Sequence, residues 1–142
     1  MRIAIVCPGF QTNRGGVNQV TLQIIKTLQE ISEIEIFSFA HSKNDKNSLQ
    51  IFKPSSYHTV RITQTFHGKI PVWNIGAFGS EFEFLRYRKR RKLVKYFSKF
   101  DLIIIVSGFL QFANVVPRLE IPIYFQFATR LKCRKKHPLN LR

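Results

Sequence analysis

The chain opens on a short, nearly unbroken apolar run, Arg2-Ile3-Ala4-Ile5-Val6-Cys7, closed by Pro8-Gly9; after a polar loop, the pair Gly15-Gly16 leads into an amphipathic stretch. Apolar residues in succession rather than in alternation fit a strand buried on both faces of a parallel sheet. In the stretch that follows, Val17, Val20, Ile24, Leu28 and Ile31 recur at three- and four-residue spacing, with Asn18, Gln19, Gln23, Lys26 and Gln29 opposite. That pattern predicts a helix with one face on the sheet. A helix starting straight after paired glycines presents its first N–H groups and the positive end of its dipole to the loop, a place that suits phosphate. The same glycines can serve only to bend the backbone between strand and helix. Neither G-x-G-x-x-G nor G-x-x-x-x-G-K-[ST] is present, which disfavours NAD-type and ATP-type loops.

The alternation continues downstream. Glu33 to Phe39 alternates polar and apolar and predicts a second strand nearer the sheet's margin. Residues 41–56 are rich in Ser, Asn, Lys and Asp and read as a surface connection, and His58 to Thr65 as a third, short strand. Residues 66–80 carry four glycines or prolines beside Trp73 and Phe78, which predicts a loop with apolar anchors. From Glu81 to Phe100 the pattern is helical, with Phe82, Leu85, Leu93, Tyr96, Phe97 and Phe100 within about 60° of one direction. Leu102 to Val106 is β-branched, uncharged and too short for a helix, hence a strand. A short helix from Phe109 to about Val116 and a strand from Ile121 to Phe127 follow. This order predicts an α/β fold, Rossmann-like, with a mostly parallel sheet and helices on both faces.

At 142 residues one domain with a real core is expected, built largely on fourteen Phe. Cys7 lies in a predicted buried strand and Cys133 in a basic tail, which gives no disulfide framework and fits a reducing, cytoplasmic setting. The apolar start is too short for a secretory signal, and residues 102–118 are too polar and short for a membrane span. Residues 1–85 hold eight Lys/Arg and six Asp/Glu, whereas residues 86–142 hold fifteen and two. Such a field favours anionic partners: a membrane surface, nucleic acid or an acidic protein.

The segment R-I-A-I-V-C-P-G-F-Q-T-N-R-G-G-V-N-Q-V-T-L-Q-I-I-K-T-L resembles the opening of a family 4 glycosyltransferase of the GT-B fold, whose first strand leads into a loop ending in Gly-Gly before the first helix. K-F-D-L-I-I-I-V-S-G and I-P-I-Y-F-Q-F are similar to the Asp-led and Pro-led strands later in that domain, so the resemblance covers most of residues 1–127. It implies one half of a GT-B fold and transfer of a sugar from a nucleotide-sugar donor to a glycan or lipid-linked acceptor. The acceptor would be held mainly by this domain. Gly15 and Gly16 would face the donor diphosphate, their N–H groups stabilising the charge that builds as it departs. Asn13, Ser107 and Gly108 would border the acceptor cleft, and no cofactor beyond the donor is implied. The family's donor-binding C-terminal domain has no counterpart in 142 residues, so activity is expected only with that domain supplied by a separate chain. The His often found beyond the Pro-led strand is also missing, since the chain reads Gln126-Phe127-Ala128-Thr129, and no catalytic residue is assigned. Residues 128–142 form a basic tail unlike the family's next helix, as a truncation or frameshift would produce.

Arg88, Arg91, Lys92, Lys95 and Lys99 fall on one side of the predicted helix, opposite the Phe/Leu stripe. This is either a solvated face or an attachment site for the inner, anionic face of a membrane, where each cation contributes on the order of 1 kcal/mol. Nucleic acid is the weaker rival, because no helix-turn-helix, RRM or zinc-finger pattern is present. A non-catalytic Rossmann-like module binding either partner is the alternative to a transferase. Glu81 and Glu83 point to different faces of a helix and suit its entry better than acid–base chemistry. His41, His58, His67 and His137 lack metal-ligand spacing, so no metal site is expected.

Overall fold

The computed structural model describes residues 1–12, 15–57 and 60–128. Its centre is a strand, β1 (Arg2–Pro8), paired in parallel on one side with β2 (Glu33–Phe39) and on the other with β5 (Leu102–Ser107). Beyond β2 lie β4 (Ile70–Ile75) and the edge strand β3 (Ile62–His67); beyond β5 lies β6 (Ile123–Phe127). The sheet order is β3-β4-β2-β1-β5-β6, and β3 alone runs antiparallel. This is the expected α/β arrangement with a mostly parallel sheet.

Strand alternation divides the core in two. Ile3, Ile5 and Cys7 of β1 join Ile34, Ile36, Val72, Ile104 and Val106 under α1 (Gly16–Leu28). Ala4 and Val6 join Phe37, Phe39, Ile103 and Ile105 on the opposite face. There they meet Tyr87, Leu93, Phe97, Phe100 and Phe112 from the later connections. Residues Ile3 to Val6 are wholly buried, and at about 1.5–3 kcal/mol for each large apolar side chain they make β1 the main apolar anchor of both layers. Phe37 is surrounded by rings, with Phe97 at 4.7 Å, Phe100 at 5.7 Å edge-on and Trp73 stacked at 6.5 Å.

Several expectations are corrected. The strand 33–39 is internal, not marginal, because β4 covers its outer side. Residues 70–75 form that strand inside the predicted loop; Pro71 is tolerated at its start, paired only with Phe66 of the edge strand, while the bonding to β2 begins at Val72. The third strand starts at Ile62, and His58 lies outside the described residues. Helix α1 stops at Leu28, which leaves Ile31 71% exposed, and Thr21 and Ile25 provide its buried contacts. The segment Phe109 to Val116 is a 3-10 turn at Leu110–Val115, and the last strand begins at Ile123.

The largest correction concerns residues 81–100, which hold two short helical turns, α2 (Glu83–Arg86) and α3 (Val94–Phe97), with a 3-10 turn at Arg91–Leu93 between them. Tyr87 and Leu93 both enter the same core. In one straight helix they would face directions about 120° apart. Cations at i, i+3 and i+4 through residues 88–92 add like-charge repulsion, so the linker unwinds.

The connection after β2 is held down at Gly76, where a Cβ would lie 1.7 Å from the Asn47 carbonyl oxygen. Gly68, in the β3–β4 turn, has φ +60 and open space around it. Gly76→Ala is therefore expected to destabilise the fold by at least about 3 kcal/mol, the upper range for overpacking. Gly68→Ala should cost only about 1–2 kcal/mol of left-handed backbone strain. Urea unfolding of the two variants checks the order.

Candidate functional site at the C-terminal edge of the sheet

From β1 the chain builds the sheet outward through β2 and β4, then returns to the other side of β1 for β5 and β6. The direction of winding reverses at β1. In open parallel sheets the crevice beyond the strand C-termini at that reversal is where ligands sit.

The loop leaving β1 is tied to this edge. Gly9 N–H donates to the Phe39 carbonyl at 2.9 Å, and Phe10 N–H donates to Ser38 Oγ at 2.9 Å. The Phe10 ring is 3% exposed and packs into the α1-side core. Gln11 then takes φ +66, an uncommon backbone for a side-chain-bearing residue. Its N–H donates to Asn18 Oδ1 at 3.2 Å, and its Nε2 lies 2.8 Å from His67 Nδ1. His67 also meets the Phe10 ring edge-on at 5.4 Å. The loop is thus fixed from β2, α1 and the β3–β4 turn together.

Gly15 caps α1 in an extended conformation, with no side-chain cap and no acidic residue in the first turn. The positive end of the helix dipole therefore has no carboxylate beside it in that turn. A Cβ on Gly16 would lie 3.5 Å from the Ala128 carbonyl oxygen, and Ala128 N–H donates to the Ser107 carbonyl at 3.0 Å. Gly15, Gly16, Ser107 and Gly108 are consequently brought to one edge. Ser107 is fully buried and its Oγ accepts from Phe109 N–H at 3.3 Å, so its hydroxyl braces the turn after β5. Asn13 lies outside the described residues.

A cavity of about 500 Å³ opens on the same edge, beyond β2 and β4 and beside Gly9. Its wall mixes amide, hydroxyl and imidazole groups, among them Thr12, His41, Asn44, Asn47 and Asn74, with apolar surface from Phe39, Ala40 and Ile75, and carries two charged residues, Asp45 and Lys46. Two amides are held in place, Asn47 Nδ2 by Thr63 Oγ1 at 3.0 Å and Asn74 Nδ2 by Thr65 Oγ1 at 2.9 Å. Sequence reasoning passed over His41 as one of four scattered histidines; its place two residues beyond a parallel strand was the available signal. Burial of the ring where it lies over Gly9, and then the Arg86 guanidinium, hold its pKa below 6.5, opposed weakly by Glu83. Arg86 also donates from Nη1 to the His41 carbonyl.

The five cations assigned to one helix face are not on one helix. Lys99 Nζ contacts both oxygens of Glu35 at 2.7 and 3.0 Å, and that carboxylate also accepts from Trp73 Nε1 at 2.7 Å. Lys99 is therefore a structural partner, removed from the expected anionic-surface set. Arg88, Arg91, Lys92 and Lys95 are exposed on the unwound linker and its following turn. The basic tail, residues 129–142, lies outside the described residues.

Cys7 is buried, and burial pushes its thiol up to about 12 against a smaller opposing hydrogen bond to Thr21, which rules it out as a thiolate nucleophile near neutral pH. Among the described residues no helix is long and apolar enough to cross a membrane, and no group of three His, Cys, Asp or Glu could hold a metal ion. Compared with known proteins, the chain matches no family model, no curated protein and no solved structure.

The depressed His41 pKa has a consequence for stability. The unfolded chain takes up a proton near pH 6.5 that the folded chain takes up only at lower pH. That contribution to stability is complete above pH 6.5 and is lost as pH falls through the folded value. His41→Asn is expected to flatten the decline in melting temperature on acidification from pH 7 to 5, measured beside the parent chain.

Proposed function

We propose that this chain is the acceptor-side half of a glycosyltransferase of GT-B type, which transfers a sugar from a nucleotide-sugar donor when a donor-binding domain is supplied by a separate chain. The observation that carries the reading is the placement of Gly15 and Gly16. They open α1 directly beyond the central strand, at the reversal of winding, with no acidic residue in the first helical turn. N–H groups there would stabilise the negative charge that gathers on a departing diphosphate, and no nucleophile is needed in the loop. The neighbouring cavity, walled by fixed amides and hydroxyls, suits a hydroxyl-rich acceptor. Burial and then Arg86 lower the pKa of its imidazole, His41, which favours the neutral form that can accept a proton from a hydroxyl.

Calorimetric titration with nucleotide sugars tests this, using the chain alone and mixed with a candidate C-terminal glycosyltransferase domain. Sugar transfer is expected only for the mixture, which should also bind the donor more tightly than the chain alone. Gly15→Asp should then separate fold from function. Gly15 already has the extended backbone of an N-cap, so the carboxylate would cap α1, stabilising it by up to about 1 kcal/mol, while placing negative charge where the diphosphate sits. Raised or unchanged stability with loss of donor binding is the expected pair of results. Donor binding unaffected by Gly15→Asp would remove Gly15 from the site.

A further inference from the structure

A second cavity lies between the 85–93 linker and the start of β3, where Ile62 pairs with Ile75 at the end of β4. It measures about 360 Å³ and has two kinds of wall. One is aliphatic and aromatic: Val60, Ile62, Phe78, Leu85 and Leu93. Val60, Ile62 and Phe78 stand 46%, 41% and 57% exposed, so this apolar surface is left open by the fold. The other wall carries Arg88, Lys89, Arg90 and Lys92, with no acidic residue among the described lining groups.

None of those four cations forms an ion pair among the described residues, where the ion pairs belong to Arg2 and Lys99. Arg90 is the decisive member. Its Nη2 is buried with no hydrogen-bond partner among the described residues, a condition that costs free energy; the residue lines the cleft, and an anion there that drew the guanidinium toward it would relieve that cost. Burial without a compensating acid also holds its pKa below the usual guanidinium range. A cleft joining an open apolar floor to an uncompensated guanidinium and three more cations has the complementarity of a molecule with one anionic end and one hydrocarbon end. Single-stranded nucleic acid fits it less well, because stacking needs aromatic platforms and Phe78 is the one ring among the described lining residues.

We propose that this cleft binds an anionic amphiphile, holding its phosphate or carboxylate head at Arg90 and seating the first carbons of its chain against Ile62, Leu85 and Leu93. The site does not draw on the glycosyl-transfer reading, and its described lining residues include neither Gly15 nor Gly16 nor any residue of the cavity beside Gly9.

The test is a titration of the full ¹⁵N-labelled chain with methyl phosphate and with hexyl phosphate. Each methylene that leaves water for the floor adds about fourfold in affinity, so hexyl phosphate is expected to bind at least tenfold tighter, shifting the amides of Ile62 and of Arg90 to Leu93. Arg90→Met removes a charge whose Nη2 has no partner and should leave thermal unfolding unaltered while weakening hexyl phosphate at least tenfold. Ile62→Ser should reduce the advantage of hexyl over methyl phosphate without changing methyl phosphate itself. Sedimentation with phosphatidylglycerol and with phosphatidylcholine vesicles identifies the source. Arg90-dependent binding to the anionic vesicles alone points to a membrane lipid, and hexyl phosphate binding without vesicle binding points to a free amphiphile; either supports the site. Equal affinity for the two phosphates, shifts confined to other residues, or an oligonucleotide that occupies the same amides with no chain-length effect among the phosphates would overturn it.

Discussion

The two-sided burial of β1 is the constraint on which the rest of the fold depends. A strand paired in parallel on both edges and covered on both faces must be apolar at every position, and Ile3 to Cys7 meet that demand. Its odd-numbered residues need one apolar layer and its even-numbered residues another. Helix α1 supplies the first, and the ring cluster around Phe37, Phe97 and Phe112 supplies the second. Because the chain winds away from β1 in both directions, the C-terminal end of this same strand is where the connections part and leave a crevice. The demand for burial and the position of the candidate site are one consequence of one strand.

The second layer depends on an ionic contact at its rim. Glu35 lies on the face of β2 that carries Phe37, and would be an unpaired acid beside the ring cluster without Lys99, Arg2 and the Trp73 indole. Lys99 and Arg2 also lie over the Phe100 ring, at 5.0 and 5.6 Å. One cation of the basic segment is thereby committed to structure. The cations from Arg88 to Lys92 stay unpaired among the described residues and face solvent or the second cleft. The strong positive field of the C-terminal half thus divides between a structural and an available part, a division that net charge alone does not express.

What was legible in the sequence follows from range. The strands at 2–8, 33–39 and 102–107 and the helix at 16–28 are set by their own apolar patterns, and they stand within a residue or two of expectation apart from the far end of that helix. Three things depended on distant contacts. Strand β4 was hidden by Pro71 and the neighbouring glycines, although its pairing with β2 begins beyond the proline. The marginal place read for β2 came from Glu35, whose polarity is answered by residues far away in sequence. The single helix over 81–100 fitted six apolar positions but left out Tyr87, and the burial of that ring overrides local periodicity. At the site, the glycine loop was legible as a strand-to-helix turn. The cavity containing His41 was not, because its wall forms only when Asn47 closes against Gly76 and Thr63.

The fold and the proposed use meet at a single place, the edge where β1 ends and α1 begins. Inorganic pyrophosphate, the bare anionic core of a nucleotide-sugar donor, probes that place without requiring a second domain. Amide chemical-shift mapping of the ¹⁵N-labelled chain during a pyrophosphate titration is the most direct measurement. The account predicts saturable shifts at Gly15, Gly16 and Val17, with smaller ones at Gly108. Shifts confined to residues 86–99 and the basic tail, with the first turn of α1 unmoved, would contradict it.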